Sequence, residues 1–487
     1  MKVISRNWIH EEAHFYVKNK GFTRKYFFSI IDYWKNILLE HNAKPGDKIG
    51  FAVATVDISY VAAIFAAFEL GLKLTILLKP VNEKEMNSSK FNVFYPLDIL
   101  ILDRLAIRWF PELKDYYTHN SRHVIDLIWI GNSFQPIKKP NKKIKKVYPE
   151  SKDICLLCTS SGSTGQPKIV KHTHEFFYDL CSFNWQPLEF VEEDKVLHLV
   201  SFNHGSALGI YFLPSLRICK WHYFSIPDFS LTLFDEENWD RFVSFCQKAG
   251  ITKMQCPFDF SIDYMINAFD RSEIGCPDLV IYILTFINPK WYDLVKKGKI
   301  KKVISIFGCS ETSGPLFLPY VDKNVENFSP NFLGYPIKGF HEISIIDNSL
   351  HVTIPTYGTT INTEDSLRDM GNGYDFAGKK KLYRILDTEI NIYDIQGIFL
   401  QHVTGFHYKD AIILVDEIYN RLYAVTNNDQ IMKHIEGIKE SVKIHYNNKI
   451  ELNDIIFIED MSDFVTGIKP DREKILTYIR QIKNEQH

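Results

Sequence analysis

The sequence predicts an α/β protein, with a large N-terminal domain of wound α/β sheets and a small C-terminal α/β unit of α+β character. Three observations predict it. Strand-length apolar runs alternate with helix-period segments along most of the chain, the pattern of a wound sheet. No repeat of fixed period and no long low-complexity segment interrupts that alternation, which argues against solenoids and propellers. The charged triplet Lys379-Lys380-Lys381 after Gly378 reads as a hinge, dividing a domain over 1–380 from a smaller one over 381–487.

Each element follows from local pattern. Residues 22–42 place Tyr26, Phe27, Ile30, Ile31, Trp34 and Leu38 at helical spacing, and Pro45-Gly46-Asp47 then turns the chain into a strand at 49–53. A helix through 61–65 follows, and Gly71 leads to a strand at 74–78. Between 136 and 149 the lysines Lys138, Lys139, Lys142, Lys143, Lys145 and Lys146 predict a solvated loop, with a docking patch for an acidic partner as the alternative. Residues 154–158 form an apolar run of strand length. In the C-terminal unit, Ile392, Ile395, Phe399 and Leu400 share a helix face, and strands are expected at 411–415, 422–425 and 455–458. A final helix starts after Asp471, a candidate N-cap, and buries Ile475, Leu476, Ile479 and Ile482.

Composition narrows the function. With 57 Lys+Arg against 59 Asp+Glu among 487 residues, the net charge of −2 makes no case for a nucleic-acid partner. A hydrophobic content of 45% excludes disorder, and the most apolar stretch, 60–78, is broken by Glu69, Gly71 and Lys73, so it reads as core and not as a membrane span. The first residues show no apolar core of a secretory signal, and eight scattered cysteines make no disulfide framework; a cytoplasmic location is expected.

The 154–158 strand runs into Thr159-Ser160-Ser161-Gly162-Ser163-Thr164-Gly165-Gln166-Pro167-Lys168. Glycines let backbone N–H groups approach oxygens closely, hydroxyls add donors and Lys168 supplies charge, a combination suited to polyphosphate. It is not a Walker loop, because Pro167 stands where that pattern needs its second glycine. The segment 160–168, followed by Thr173-His174, resembles the signature of the adenylate-forming enzymes, a family that includes acyl-CoA synthetases, nonribosomal adenylation domains and beetle luciferases. One departure is Ile169, where the family commonly has glycine.

Further resemblances follow in order along the chain, from about 40 to 480. Phe307-Gly308-Cys309-Ser310-Glu311 is similar to the family's Tyr-Gly-x-Thr-Glu. The likeness implies that Phe307 and Gly308 flank adenine, Ser310 approaches the α-phosphate and Glu311 binds Mg²⁺, a hard cation that takes oxygen ligands. Gly334-Tyr335-Pro336 and Gly339 look like a turn before the last strands of the large domain. Thr363-Glu364-Asp365 stands for Thr-Gly-Asp, implying ribose binding by Asp365, and Lys379 replaces the arginine of Phe-x-Gly-Arg. Thr466-Gly467-Ile468-Lys469-Pro470-Asp471-Arg472 keeps the family's Lys-x-x-Arg spacing with Ile468 in place of glycine, and Lys469 is the candidate catalytic residue. The resemblance also implies an acyl pocket near Asn203 and His204 and near Phe286 and Ile287, where bulk replaces small residues and predicts a small or flat carboxylate. The 387–390 segment lacks the glycine of the loop that forms the thiol tunnel.

Two motifs are set aside. His10-Glu11-Glu12-Ala13-His14 spells a zinc-protease motif with little scaffold before it, and Cys155 and Cys158, three apart in a strand, point to opposite faces as core.

The expected protein is an ATP-dependent ligase that adenylates a small-molecule carboxylic acid, releases pyrophosphate and passes the acyl group to a thiol. Coenzyme A is the first choice of acceptor. Phosphopantetheine on an acyl carrier protein, or an amine, is the second, and a degenerate protein that binds nucleotide or acyl-adenylate without turnover is a further alternative.

Overall fold

A computed structural model describes residues 2–17, 20–53, 57–75, 96–103, 119–127, 149–160, 168–184, 186–199, 207–224, 236–256, 259–283, 287, 289–326, 331–379, 382–403, 411–459, 465–466, 469–470 and 472–484. The chain divides into two compact units. One comprises 1–328, 334–343 and 353–359, and the other 329–333, 344–352 and 360–487.

The first unit opens with β1 (His14–Val17) and β2 (Lys20–Thr23), then α1 (Arg24–Glu40), β3 (Lys48–Ala52), α2 (Ile58–Glu69) and β4 (Lys73–Thr75). Helix α1 is capped by Thr23, whose side chain accepts from the Tyr26 N–H, and buries Phe27, Ile30, Ile31, Trp34 and Leu38 along one stripe. Tyr26 is only half-buried. Helix α2 starts at the Asp57 cap and is buried on every side from Ile58 to Phe68, so it is an internal layer. It meets α1 through Trp34 Nε1–H, which donates to Ser59 Oγ at 3.0 Å.

Strands β5 (Leu97–Leu102), β6 (Ser121–Asp126), β7 (Ile154–Ser160) and β8 (Lys168–Thr173) complete a six-stranded sheet in the order β6-β5-β3-β4-β7-β8. It is parallel except for β8, which runs antiparallel to β7 at the edge. After α3 (His174–Asn184) come β9 (Lys195–His198), α4 (Leu213–Ile218), β10 (Trp221–Phe224), α5 (Glu236–Ala249), β11 (Lys253–Gln255), α6 (Asp259–Arg271), β12 (Cys276–Ile283), α7 (Pro289–Lys296), β13 (Ile300–Ser305) and β14 (Tyr320–Asp322). These strands form an eight-stranded sheet, β14-β13-β12-β11-β9-β10-β1-β2, antiparallel only at its two ends. The wound α/β reading of this region therefore holds, with helices covering sheets whose central strands are buried.

The second unit holds a five-stranded sheet, β15-β19-β18-β17-β16, built from β15 (Phe332–Gly334), β16 (Glu342–Ile346), β17 (Ser349–Ile354), β18 (Thr359–Asp369) and β19 (Tyr374–Lys379). It clusters with the C-terminal residues, although the sequence reading counts it within 1–380. The hairpin β20 (Leu382–Ile385)–β21 (Thr388–Asn391) then leads to α8 (Ile392–His402). A three-stranded sheet follows from β22 (Ile412–Asp416), β23 (Arg421–Thr426) and β24 (Asp454–Phe457), with α9 (Asp429–Met432) and α10 (Ile435–His445) between the last two.

The chain ends with a short hairpin, β25 (Val465–Thr466) and β26 (Lys469–Pro470), and α11 (Arg472–Asn484). Both faces of the three-stranded sheet are covered, which is why all of β22 is apolar up to its last residue. Ile413, Val415, Leu422 and Ala424 join the cluster of α8 and α10 through Ile395, Phe399 and Ile438, whereas Ile412, Leu414, Tyr423 and Val425 meet Ile475, Leu476 and Ile479 of α11. Each fully buried isoleucine contributes about 1.5–3 kcal/mol. Ile482 is only half-buried.

Candidate active site

The glycine-rich segment follows β7 and precedes β8 in sequence. Ser160 ends β7 and Lys168 begins β8 directly opposite it, so the two strands flanking the segment are paired up to its ends. Ser161, Gly162, Ser163, Thr164 and Gly165, within 161–167, lie outside the described residues. Lys168 and Ile169 are exposed at the start of β8, and the strand becomes buried only at His172.

A second loop leaves the carboxyl end of β13, where open α/β sheets bind ligands. It is closed on itself at both ends. Phe307 N–H donates to the Phe317 carbonyl at 3.1 Å and Leu316 N–H donates back to the Phe307 carbonyl at 2.8 Å. Within it, Ser313 N–H donates to the Cys309 carbonyl at 3.0 Å, and the Thr312 hydroxyl donates to the carbonyls of Cys309 and Gly314. Gly308 has to be glycine, because a Cβ there would stand 2.4 Å from the Gly314 carbonyl oxygen. The consequence is a rigid bracket that leaves Phe307, Ser310 and Glu311 partly accessible.

The bracket and the β7–β8 pair are fastened together. His172 Nε2 lies 3.1 Å from the Ser310 carbonyl oxygen and 2.8 Å from Ser313 Oγ, and Ser313 Oγ–H donates to the same carbonyl at 3.0 Å. The imidazole stacks on Phe176 with centroids 4.6 Å apart, and the hydroxyl of Tyr357, in the same aromatic stack, accepts the Thr173 N–H at 3.1 Å. Burial pushes the His172 pKa down to about 4, so the ring is neutral. Burial likewise pushes the Cys158 thiol up to about 12, the Glu311 carboxylate adding to the rise. The structure thus brings Ser160, Lys168, Ser310 and Glu311 into one region of the first unit.

Glu311 passes a test of donor chemistry for a divalent cation. It is half-buried, its charge is felt at Cys158 and His172, and among the described residues no three His, Cys, Asp or Glu side chains gather into an all-protein cage. A single carboxylate suits Mg²⁺ whose other ligands would come from a bound nucleotide and water.

In the second unit, Asp365 is buried in β18 directly opposite Lys379 in β19. The Thr363 hydroxyl accepts the Asp365 N–H at 3.2 Å and donates to the Leu350 carbonyl at 3.1 Å, and Glu364, standing where the motif expects glycine, takes a left-handed φ of 62°. Lys469 stands in β26 opposite Thr466. Three residues on, Arg472 donates to the Ile413 carbonyl at 3.0 Å and ties the start of α11 to the core sheet. The segment expected to carry a glycine near 387–390 turns at Leu386 and Asp387, where Leu386 adopts φ 53° with its N–H donating to Asn420 Oδ1 at 3.1 Å.

Of the acyl-pocket candidates, Asn203, His204 and Phe286 lie outside the described residues and Ile287 is buried, 3% exposed. The strands that precede them in sequence, β9 and β12, belong to the same sheet as β13. His10 and His14 do not share a helix: His14 begins β1 and stacks on Trp221 at 4.9 Å. The sequence reading passed over His172 and Ser313, because no local signal links position 172 to a carbonyl at 310.

Solved structures similar in shape have this architecture. The anthranilate CoA ligase AuaEII in complex with anthranoyl-AMP superposes with a TM-score of 0.71 at 13% identity, covering 98% of both chains. The McyG A-PCP structure complexed with phenylalanyl-adenylate gives 0.71 at 16% identity, covering 98% of this chain and 96% of that one. Such likenesses define the fold of adenylate-forming enzymes. The AMP-binding enzyme family model matches residues 32–356, and the chain belongs to that family. Atromentin synthetases of Serpula lacrymans var. lacrymans and Paxillus involutus are 26% and 27% identical over 218 and 209 residues. The matched stretch covers 42% and 39% of this chain but only 22% and 21% of those proteins. Among the described residues no helix is long and apolar enough to cross a membrane.

Proposed function

We propose that the chain activates a small carboxylic acid with ATP, forming an acyl-adenylate and pyrophosphate, and then passes the acyl group to a thiol, with coenzyme A as first acceptor. The observation that carries this reading is the fastening of the β7–β8 pair to the Ser310–Glu311 bracket through His172. A carboxylate oxygen of the acid attacks the α-phosphorus, the bond to the pyrophosphate oxygen breaks, and negative charge shifts onto the departing oxygens. What this asks of the protein is donors and cations fixed beforehand at those oxygens.

In this reading the amides and hydroxyls of the glycine-rich segment with Lys168 hold the β- and γ-phosphates, and Ser310 approaches the α-phosphate. Glu311 holds Mg²⁺, which neutralises phosphate charge when bound. Phe307 and Gly308 flank the adenine, Asp365 accepts from the ribose hydroxyls, and Lys379 opposite it replaces an arginine contact. Lys469 is the catalytic cation, brought in by a small C-terminal domain that moves about a hinge at 378–381 and withdraws for the second half-reaction. Asn203, His204, Phe286 and Ile287 line the acyl site, and the bulk at 286–287 favours small or flat acids. The anthranoyl-, phenylalanyl- and AMP-bound structures of similar fold support an aromatic or amino acid as the first substrates to screen.

The test is carboxylate-dependent exchange of labelled pyrophosphate into ATP over a panel of aryl, amino and short aliphatic acids. Lys469→Ala is expected to lower exchange by about 10²–10³-fold while ATP still binds. Unchanged exchange in that variant removes Lys469 from the mechanism. ATP binding without exchange on any acid leaves the degenerate binding protein as the reading, as Ile468 and Lys379 would then explain.

A further inference from the structure

We propose that His172, together with Ser313, is a positioning residue that sets the orientation of the Ser310–Glu311 peptide at the nucleotide site. This inference rests on the nucleotide reading above and adds to it a residue outside the matched motifs.

Two oxygens, the Ser310 carbonyl and Ser313 Oγ, lie 3.1 Å and 2.8 Å from the same ring nitrogen, His172 Nε2. A carbonyl oxygen only accepts, so Nε2 must carry the hydrogen; an unprotonated Nε2 would face that carbonyl lone pair to lone pair. The opposite nitrogen, Nδ1, is buried with no hydrogen-bond partner among the described residues. With the proton on Nε2, Nδ1 is left only an unused lone pair instead of a stranded N–H, so the neutral ring has one sensible tautomer. The Ser310 carbonyl then receives two close donors, Nε2–H and the Ser313 hydroxyl, with the Cys158 thiol a long third contact at 4.0 Å.

A carbonyl held in this way fixes its whole peptide plane. The Ser310 oxygen and the Glu311 N–H sit on opposite sides of one planar trans unit. With the oxygen drawn to β8, the Glu311 N–H is turned away from β8, and it meets no acceptor among the described residues. The arrangement spends a fully buried imidazole, 0% exposed and sandwiched with Phe176, on a backbone carbonyl next to the candidate cation ligand. Ser313 accepts a left-handed φ of 42° to be there, a conformation costly for a residue with a side chain. Both side chains thus act through the loop, and neither touches the reacting atoms.

The experiment compares His172→Phe, which keeps an aromatic ring against Phe176 and removes the donor, with His172→Gln, whose terminal amide can donate from nearly the same place. Binding of ATP with and without Mg²⁺ is measured by calorimetry alongside pyrophosphate exchange. The Phe variant is expected to bind MgATP about tenfold more weakly, with the metal-free ATP affinity changed far less, and the Gln variant to recover most of the loss. Native-like MgATP binding by a folded Phe variant overturns the proposal, as does equal loss in the Gln and Phe variants. If the Phe variant does not fold, Ser313→Ala decides: removal of one of the two donors should weaken MgATP binding about threefold, and no change overturns the proposal. A wild-type chain that binds no MgATP refutes the nucleotide reading itself, and so is distinguishable from failure of this inference alone.

Discussion

One methyl group at Gly308 is enough to force open the bracket that carries Glu311. The ideal Cβ falls 2.4 Å from the Gly314 carbonyl oxygen, a backbone atom that cannot swing aside, and Gly314 is confined in turn by Leu180 Cδ1 at 2.5 Å from its own would-be Cβ. Gly308→Ala is therefore expected to abolish pyrophosphate exchange and cost about 2 kcal/mol of stability in urea unfolding. Wild-type exchange in that variant would show that the bracket is not part of the site. At this scale the sequence singled out Gly308 through a motif likeness, and the structure supplies a backbone reason for the glycine. It was silent where a role depends on a distant partner: His172 and Ser310 are 138 positions apart, and Cys158, read as plain core, has its sulfur 4.0 Å from that same Ser310 carbonyl.

Among the elements, the anchoring of α11 illustrates how the segment after Lys469 is held. Arg480 grips Asp416 through two contacts of 2.8 Å, and Asp416, 1% exposed, also caps the turn through the N–H groups of Ile418 and Tyr419. Arg480 with these hydrogen bonds holds the Asp416 carboxyl below its ordinary range. Removing the carboxylate leaves two turn amides and a partly buried guanidinium without it, so Asp416→Ala should destabilise the second unit by about 3 kcal/mol. All eight tryptophans lie between Trp8 and Trp291, in the first unit. The far-UV circular dichroism transition in urea should accordingly shift while the tryptophan fluorescence transition stays in place; a shift of both equally would contradict the independence of this contact.

Helices and central strands were legible because they announce themselves through spacing: α1, α8, β22, β23 and β24 fall within a few residues of their expected positions. The antiparallel turn-back of β8 was not, since its polar stretch, Lys168 to Thr173, has no apolar alternation to mark a strand. The five-stranded sheet was not anticipated as such, and its contacts group most of it with the residues beyond 381.

For the whole molecule, the density of buried neutral imidazoles sets the response to acid. His172, His174 and His341 are each lowered by burial to about 4 and His222 to about 3, and His198, 3.2 Å from His222, is also held well below its usual value. In the unfolded chain these groups titrate near 6.5. Between roughly pH 6.5 and pH 4 the unfolded state binds more protons than the folded one, so stability falls as pH falls, by up to about 1.4 kcal/mol per pH unit for each histidine. The urea midpoint of the tryptophan transition should drop steeply from pH 6.5 to pH 4.5 and flatten above pH 7.5. A midpoint constant over that acid range would contradict the buried neutral state.

The position of β8 has a mechanical consequence. As the outermost ribbon of its sheet it is paired to a neighbouring strand along one side only, so fraying at Lys168 and Ile169 costs few bonds while His172, further along, keeps its hold on the Ser310 carbonyl. The parallel interior strands, bonded along both flanks, stay put. Pliancy at the rim and stiffness behind it let that end of the strand yield without loosening the frame.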